Sequence, residues 1–116
     1  MSEYQIIHNP RCSKSRQTLA LLQENGIEPT IIEYLKEPLT AAQIESIAGK
    51  LADGIESMVR RKEPLYKELG LSEQPPAAAE WPQLLAEHPK LIERPIVIKG
   101  NAARIGRPPE TVLELL

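Results

Sequence analysis

The sequence predicts an α/β fold in which a mixed four-stranded sheet is flanked by helices, built in the order βαβ, helical insertion, ββα. Three observations carry that reading. A strand pattern, a helix pattern and a second strand pattern fill the opening stretch of chain. No strand pattern follows between Lys36 and Leu91. Two further strand patterns, separated only by Gly100-Asn101, then precede a last helix.

Tyr4-Gln5-Ile6-Ile7-His8 is short and β-prone and ends in the breaker pair Asn9-Pro10, which marks a buried strand. Residues 13–25 then read as a helix. Ser15, Leu19, Leu22 and Gly26 recur at helical spacing, and Asn25-Gly26 supplies a C-terminal stop. Residues 29–34 are again β-prone. Strand, helix and strand at this spacing form a βαβ unit, so the two strands run parallel.

The middle of the chain changes character. Thr40 with Gln43 forms a capping box ahead of Ile44, Ile47, Ala48 and Leu51 on one helix face, and Asp53-Gly54 ends that helix. Residues 55–62 and 65–69 suggest two short helices interrupted near Pro64. Glu73-Gln74-Pro75-Pro76 reads as a stiff surface linker. Trp81-Pro82 opens a helix that closes by His88-Pro89, with proline in the first turn, where it is tolerated. The β pattern returns over residues 95–99, turns at Gly100-Asn101 and comes back over 102–105. Residues 109–116 close the chain as a helix whose Val112, Leu113 and Leu116 are spaced to face the sheet. Trp81, Tyr34 and Tyr66 read as packing residues.

At 116 residues the chain is expected to form a single domain, 1–116, with the helical insertion at about 38–90. Hydrophobic residues make up 41% of it, yet there is no Phe and one Trp, so the core must be aliphatic. A formal net charge of −2 provides no whole-protein field for nucleic acid or an anionic membrane. No apolar run reaches membrane-spanning length, and Met1-Ser2-Glu3-Tyr4 lacks a charged-then-apolar signal pattern, so a cytoplasmic protein is expected. With one cysteine there is no internal disulfide and no multi-cysteine metal site, and no metal is expected.

That cysteine is the residue of interest. A free cysteine is among the most commonly buried residue types and is usually inert. Cys12, however, sits between a proline-terminated strand and a helix start, in the polar, basic run Arg11-Cys12-Ser13-Lys14-Ser15-Arg16. That setting is wrong for core filler. The free N–H groups of a helix start favour the thiolate, and they equally suit a tetrahedral anion. Topology supplies further cations. If residues 95–99 lie antiparallel beside the first strand, Arg94-Pro95 abuts its end, and Gly106-Arg107 returns to the same edge. Singly, each arginine reads as a solvated charge; together they converge on the thiol as planar forks suited to an oxyanion.

His8-Asn9-Pro10-Arg11-Cys12-Ser13-Lys14-Ser15-Arg16, with Arg94-Pro95-Ile96-Val97 and Arg104-Ile105-Gly106-Arg107-Pro108, closely resembles the glutaredoxin-linked arsenate reductase family, in its branch with an Arg-Cys-Ser-Lys motif. The likeness runs from Tyr4 to Leu116 and includes Arg60 and Glu68-Leu69-Gly70. It implies a thioredoxin-like fold with a helical insertion. It implies that Cys12 attacks arsenate, that Arg60, Arg94 and Arg107 bind the oxyanion, and that His8 and Ser15 help hold the thiolate. It also implies a cis peptide before Pro95. Glutathione would act as co-substrate, with no bound cofactor, and glutaredoxin would resolve the mixed disulfide on Cys12.

Alternatives stay open. Arg61 stands beside Arg60. His8 suits a strand-end histidine bonded to backbone, and Ser15 suits a first-turn residue bonding its own backbone. The same scaffold serves a thiol-dependent oxidoreductase acting on another oxyanion or a glutathione mixed disulfide. A redox-responsive regulatory protein is a third reading, but Ser15 stands where a second cysteine would be needed for an internal disulfide switch.

Overall fold

Two central strands with consecutive buried residues and one tight turn define the sheet. The computed structural model describes residues 3–116, so the Met1-Ser2 start of the chain lies outside the described residues. The strands are β1 (Tyr4–Ile7), β2 (Thr30–Ile32), β3 (Ile96–Lys99) and β4 (Ala102–Ile105), and the α-helices are α1 (Ser13–Glu24), α2 (Ala41–Lys50), α3 (Pro64–Glu68) and α4 (Trp81–Glu87). The sheet order is β2-β1-β3-β4. β1 pairs parallel with β2 and antiparallel with β3, and β3 pairs antiparallel with β4. The two central strands are apolar on both faces: Ile6, Ile7, Ile96, Val97 and Ile98 are all buried, as expected of strands covered on either side. This is the mixed α/β arrangement expected from the sequence.

The chain divides into two compact units, Met1–Glu37 with Arg94–Leu116, and Pro38–Glu93. The first holds the sheet, α1 and a C-terminal 3-10 helix, Pro109–Leu115. Its core joins Ile6 and Val97 of the sheet, Leu22 of α1, and Val112 and Leu115. Each such aliphatic side chain contributes about 1.5–3 kcal/mol when fully buried. The last segment corrects the sequence reading. With three residues per turn, Pro109, Val112 and Leu115 stack on one face and are buried, whereas Leu113 and Leu116 point outward at 36% and 52% exposure. The Leu115 carbonyl accepts bonds from Lys99 Nζ at 3.1 Å and the Tyr4 hydroxyl at 3.4 Å.

The second unit is helical. The Thr40 hydroxyl accepts the Gln43 N–H at 3.1 Å, and the Gln43 side chain accepts the Thr40 N–H at 2.8 Å, so α2 begins with the capping box read from the sequence. Ile44, Ile47, Met58, Trp81, Leu85 and Leu91 are buried here. The stretch expected to be helical over 55–62 shortens to a 3-10 turn, Ile55–Met58, after which Val59 bridges antiparallel to Ile92. Arg60 N–H donates to the Leu91 carbonyl at 2.7 Å and Glu93 N–H to the Met58 carbonyl at 2.6 Å. The insertion therefore carries one β-type pairing. Its partner lies far along the chain, where local periodicity gives no sign of it. No helix among the described residues is long and apolar enough to cross a membrane.

Candidate active site

The end of β1, the start of α1 and the two ends of the β3–β4 hairpin build the site. Asn9-Pro10 stops β1, and Asn9 makes the corner that follows. Its side-chain oxygen accepts the Arg11 N–H at 3.0 Å, and its carbonyl accepts the Cys12 N–H at 3.0 Å. Cys12 is thereby left in extended backbone as the N-cap of α1, with φ −91° and ψ 122°. Its carbonyl takes the first helical bond, from Arg16 N–H at 3.0 Å. The N-cap position aims the side chain at the unpaired N–H groups of the first turn.

Around the sulfur, opposing influences act. Burial raises the Cys12 pKa and is the largest single influence, but the Ser15 backbone N–H, a hydrogen bond from Arg94, and the charges of Arg94 and Arg107 lower it, and the net shift is downward. Arg107 Nη2 lies 3.5 Å from Cys12 Sγ, while its Nε donates to the Arg94 carbonyl at 2.8 Å. One guanidinium thus ties the thiol to the start of the neighbouring strand. The Arg94–Pro95 and Arg107–Pro108 peptides are both cis.

Ser15 is fully buried, and its hydroxyl is used away from the sulfur. It accepts the Asn9 N–H at 3.1 Å and sits 2.6 Å from His8 Nδ1. His8 is 6% exposed, and its N–H donates to the Ile32 carbonyl at 2.8 Å. Burial holds the His8 pKa down, opposed by the nearby Glu33 charge, so a neutral imidazole faces the Ser15 hydroxyl. The His8 ring thus meets a side-chain hydroxyl, and the Ser15 hydroxyl serves the end of β1 and not its own helix backbone. His8 is a strand-end histidine bonded through its backbone, and it also braces the serine whose N–H favours the thiolate.

The structure brings Cys12, Ser15, Arg94 and Arg107 together, with His8 behind Ser15. Arg60 belongs to the second unit, where Glu63 Oε2 lies 3.0 Å and Glu93 Oε1 3.8 Å from its guanidinium. Arg61 donates to the Tyr66 hydroxyl at 3.0 Å and lies over that ring. Asn9 is a site residue that a sequence reading passes over. Its only signal is an asparagine ahead of proline, which usually marks a turn and nothing more. A cleft of about 230 Å³ opens beside the same loop, edged by His8, Asn9, Arg11, Glu33 and Lys36.

A cysteine at a helix start, with two arginines from distant strand ends on its sulfur, can attack an electrophilic oxyanion and hold the resulting charge. Residues 7–115 match the ArsC family model. The chain belongs to the ArsC family. Among its ArsC relatives, the arsenate reductase of Haemophilus influenzae is 53% identical, over 96% of this chain and 97% of that protein. An uncharacterized Escherichia coli protein, YfgD, is 47% identical over 98% of this chain and 97% of its own length. An arsenate reductase structure from Vibrio cholerae superposes with a TM-score of 0.92 at 47% identity, covering 97% of each chain. These likenesses extend through both units of the chain.

Proposed function

We propose that this protein is an arsenate reductase working through Cys12, with glutathione and glutaredoxin as its reductants. The observation that carries the reading is the Cys12 sulfur at the N-cap of α1 under the Arg107 and Arg94 guanidinium groups. Family membership and a relative named for this reaction support the substrate.

The thiolate attacks arsenic(V), and one arsenate oxygen leaves as water after protonation. Arg94 and Arg107 hold the remaining oxygens as bidentate donors and neutralise their charge. A glutathione thiolate then attacks Cys12 Sγ. The As–S electron pair moves onto arsenic, which departs as arsenite, arsenic(III), while the two thiols become a Cys12–glutathione disulfide. The single cysteine leaves no internal resolving thiol, so an outside thiol, here assigned to glutaredoxin, takes the glutathione and regenerates Cys12. The cleft beside the Cys12 loop is edged by Arg11 and by the Glu33–Lys36 ion pair, whose exchange for ligand charges suits a peptide thiol bearing carboxylates and an amino group.

The test is arsenate-dependent NADPH consumption coupled through glutathione, glutaredoxin and glutathione reductase. Wild type is expected to turn over. Cys12→Ser is expected to lose roughly 10³-fold or more, because the nucleophile is gone. Arg94→Ala is expected to lose roughly 10²-fold, as for removal of one preorganised oxyanion donor. Unchanged turnover in Cys12→Ser would falsify the mechanism. An inactive wild type whose Cys12 still ionises readily would move the substrate to another oxyanion or to a glutathione mixed disulfide.

A further inference from the structure

Most glycines in this chain are explained by backbone shape. Gly26, Gly54, Gly70 and Gly100 have positive φ, and nothing lies within 4 Å of where a Cβ would stand. Gly106 is the opposite case. Its φ is one that any residue adopts, yet a Cβ there would stand 2.6 Å from Thr18 Oγ1, 2.9 Å from Pro95 Cγ and 3.1 Å from Thr18 Cγ2. Glycine is needed at 106 for space.

Neither neighbour can yield cheaply. Thr18 is fully buried on α1, is stiff at χ1, and its Oγ1 donates to the Lys14 carbonyl at 2.8 Å. Pro95 is buried too, and its ring, tied to the backbone at both ends, withdraws only by the small shift of a ring pucker. Its carbonyl accepts the Gly106 N–H at 2.9 Å, which continues the β3–β4 ladder past Ile96 and Ile105. The absent side chain thus lets the end of β4 lie directly on α1, one residue before Arg107 and six residues along that helix from Cys12.

We propose that Gly106 is a positioning residue: by letting β4 close onto Thr18 and Pro95, it sets the reach of Arg107 to the Cys12 sulfur. A Cβ at 106 must move by most of an ångström to regain ordinary contact, which begins at 3.4 Å. The Arg107 Nη2 to Sγ approach is already 3.5 Å and has little to give. The Arg107 bond to the Arg94 carbonyl would be strained by the same displacement. The charged groups acting on the sulfur are Arg94 and Arg107, beside the Ser15 N–H, so only the arginine next to the shifted residue should be weakened at first. The proposal rests on the reading of Cys12 as a working thiolate, but not on arsenate being its substrate.

The experiment measures the rate of Cys12 alkylation by iodoacetamide against pH, which needs no oxyanion. Arsenate turnover is measured alongside for wild type. The variants are Gly106→Ala, Arg107→Ala, the pair of these, and Gly106→Ala with Thr18→Ala. Gly106→Ala is expected to raise the alkylation midpoint and slow the reaction at neutral pH by roughly three- to ten-fold, as for a hydrogen bond to a charged group that is weakened and not lost outright. In the Arg107→Ala background the same change is expected to do nothing more, because its route to the sulfur is gone. Adding Thr18→Ala removes two of the three clashes and is expected to bring the midpoint part of the way back, since Pro95 still meets the added Cβ. A wild-type midpoint in Gly106→Ala overturns the proposal, and so does an effect that adds in full to that of Arg107→Ala. Should Gly106→Ala fail to fold by circular dichroism, the Gly106→Ala/Thr18→Ala pair decides. A raised midpoint there supports the proposal and a wild-type midpoint overturns it. If wild type shows no arsenate turnover while these shifts appear, the substrate is wrong and the positioning role stands.

Discussion

At the scale of the residue, a half-exposed thiol beside the exposed Arg107 rests on buried polar groups, His8, Asn9 and Ser15. Ser15 gives its backbone N–H to the thiolate side and its hydroxyl to Asn9 and His8. His8 is neutral because burial disfavours its charged form, against the pull of Glu33. That has a consequence for stability. With its pKa lowered by folding, His8 takes up a proton in the unfolded chain before it does so in the folded one. Its contribution is complete above the ordinary histidine value of about 6.5 and is lost as pH falls from there through the folded value. Urea unfolding at steps of pH below neutrality should show wild type losing stability across that window. His8→Gln should lose less over the same steps. Equal losses in the two proteins would mean that burial in the folded chain does not hold the imidazole neutral.

Much of this scale was legible. Cys12 stood out because a thiol in a basic run before a helix makes poor core filler, and Arg94 and Arg107 because each flanks a β-hairpin end. Less was legible of Ser15, whose hydroxyl turns toward the end of β1, because a sequence does not record which way a first-turn side chain points. Gly106 stands inside the Arg104-Ile105-Gly106-Arg107-Pro108 run, whose neighbours along the chain give no reason for a glycine. Its role lies in a distance to α1, and no local pattern encodes that distance.

At the scale of the element, the informative case is the C-terminal segment. An α-helical period sets Val112, Leu113 and Leu116 on one face, whereas the 3-10 geometry sets Pro109, Val112 and Leu115 there. Short segments after proline pairs carry too few residues for the two periods to separate by pattern. Burial does separate them. Leu115 is 6% exposed and packs with Ile6, Leu22 and Val97. Leu115→Ala should cost roughly 2–4 kcal/mol of unfolding free energy, as for a core leucine. Leu116→Ala should cost less than about 0.5 kcal/mol, as for an ordinary surface change. Chemical denaturation of the two variants checks this, and the reverse ranking would restore the α-helical assignment. By contrast, α2 was readable from its Thr40/Gln43 box and the hairpin from Gly100-Asn101, because those signals are local. The Val59–Ile92 bridge was not, since its two halves lie on either side of two helices.

At the scale of the whole molecule, the sheet order does the chemical assembly. Placing β3 antiparallel beside β1 brings the start of one strand to the end of the other, and the tight turn into β4 returns the chain to that same edge. Cys12, Arg94 and Arg107, far apart in sequence, meet there as a consequence of connectivity. That convergence could be inferred beforehand because a two-residue turn and an antiparallel neighbour leave few other arrangements. The identity of the oxyanion could not, because two guanidinium groups and a helix start suit any tetrahedral anion of similar size. Family membership is what names arsenate.

The most direct measurement follows one turnover with the resolving partner withheld. The protein is incubated with arsenate and glutathione, without glutaredoxin, and intact mass is read beside arsenite released. The expected result is a burst of one arsenite per chain together with one glutathione on Cys12, and neither in Cys12→Ser. Arsenite formed by Cys12→Ser at the wild-type rate, or released from wild type with Cys12 left unmodified and no further turnover, would contradict the account.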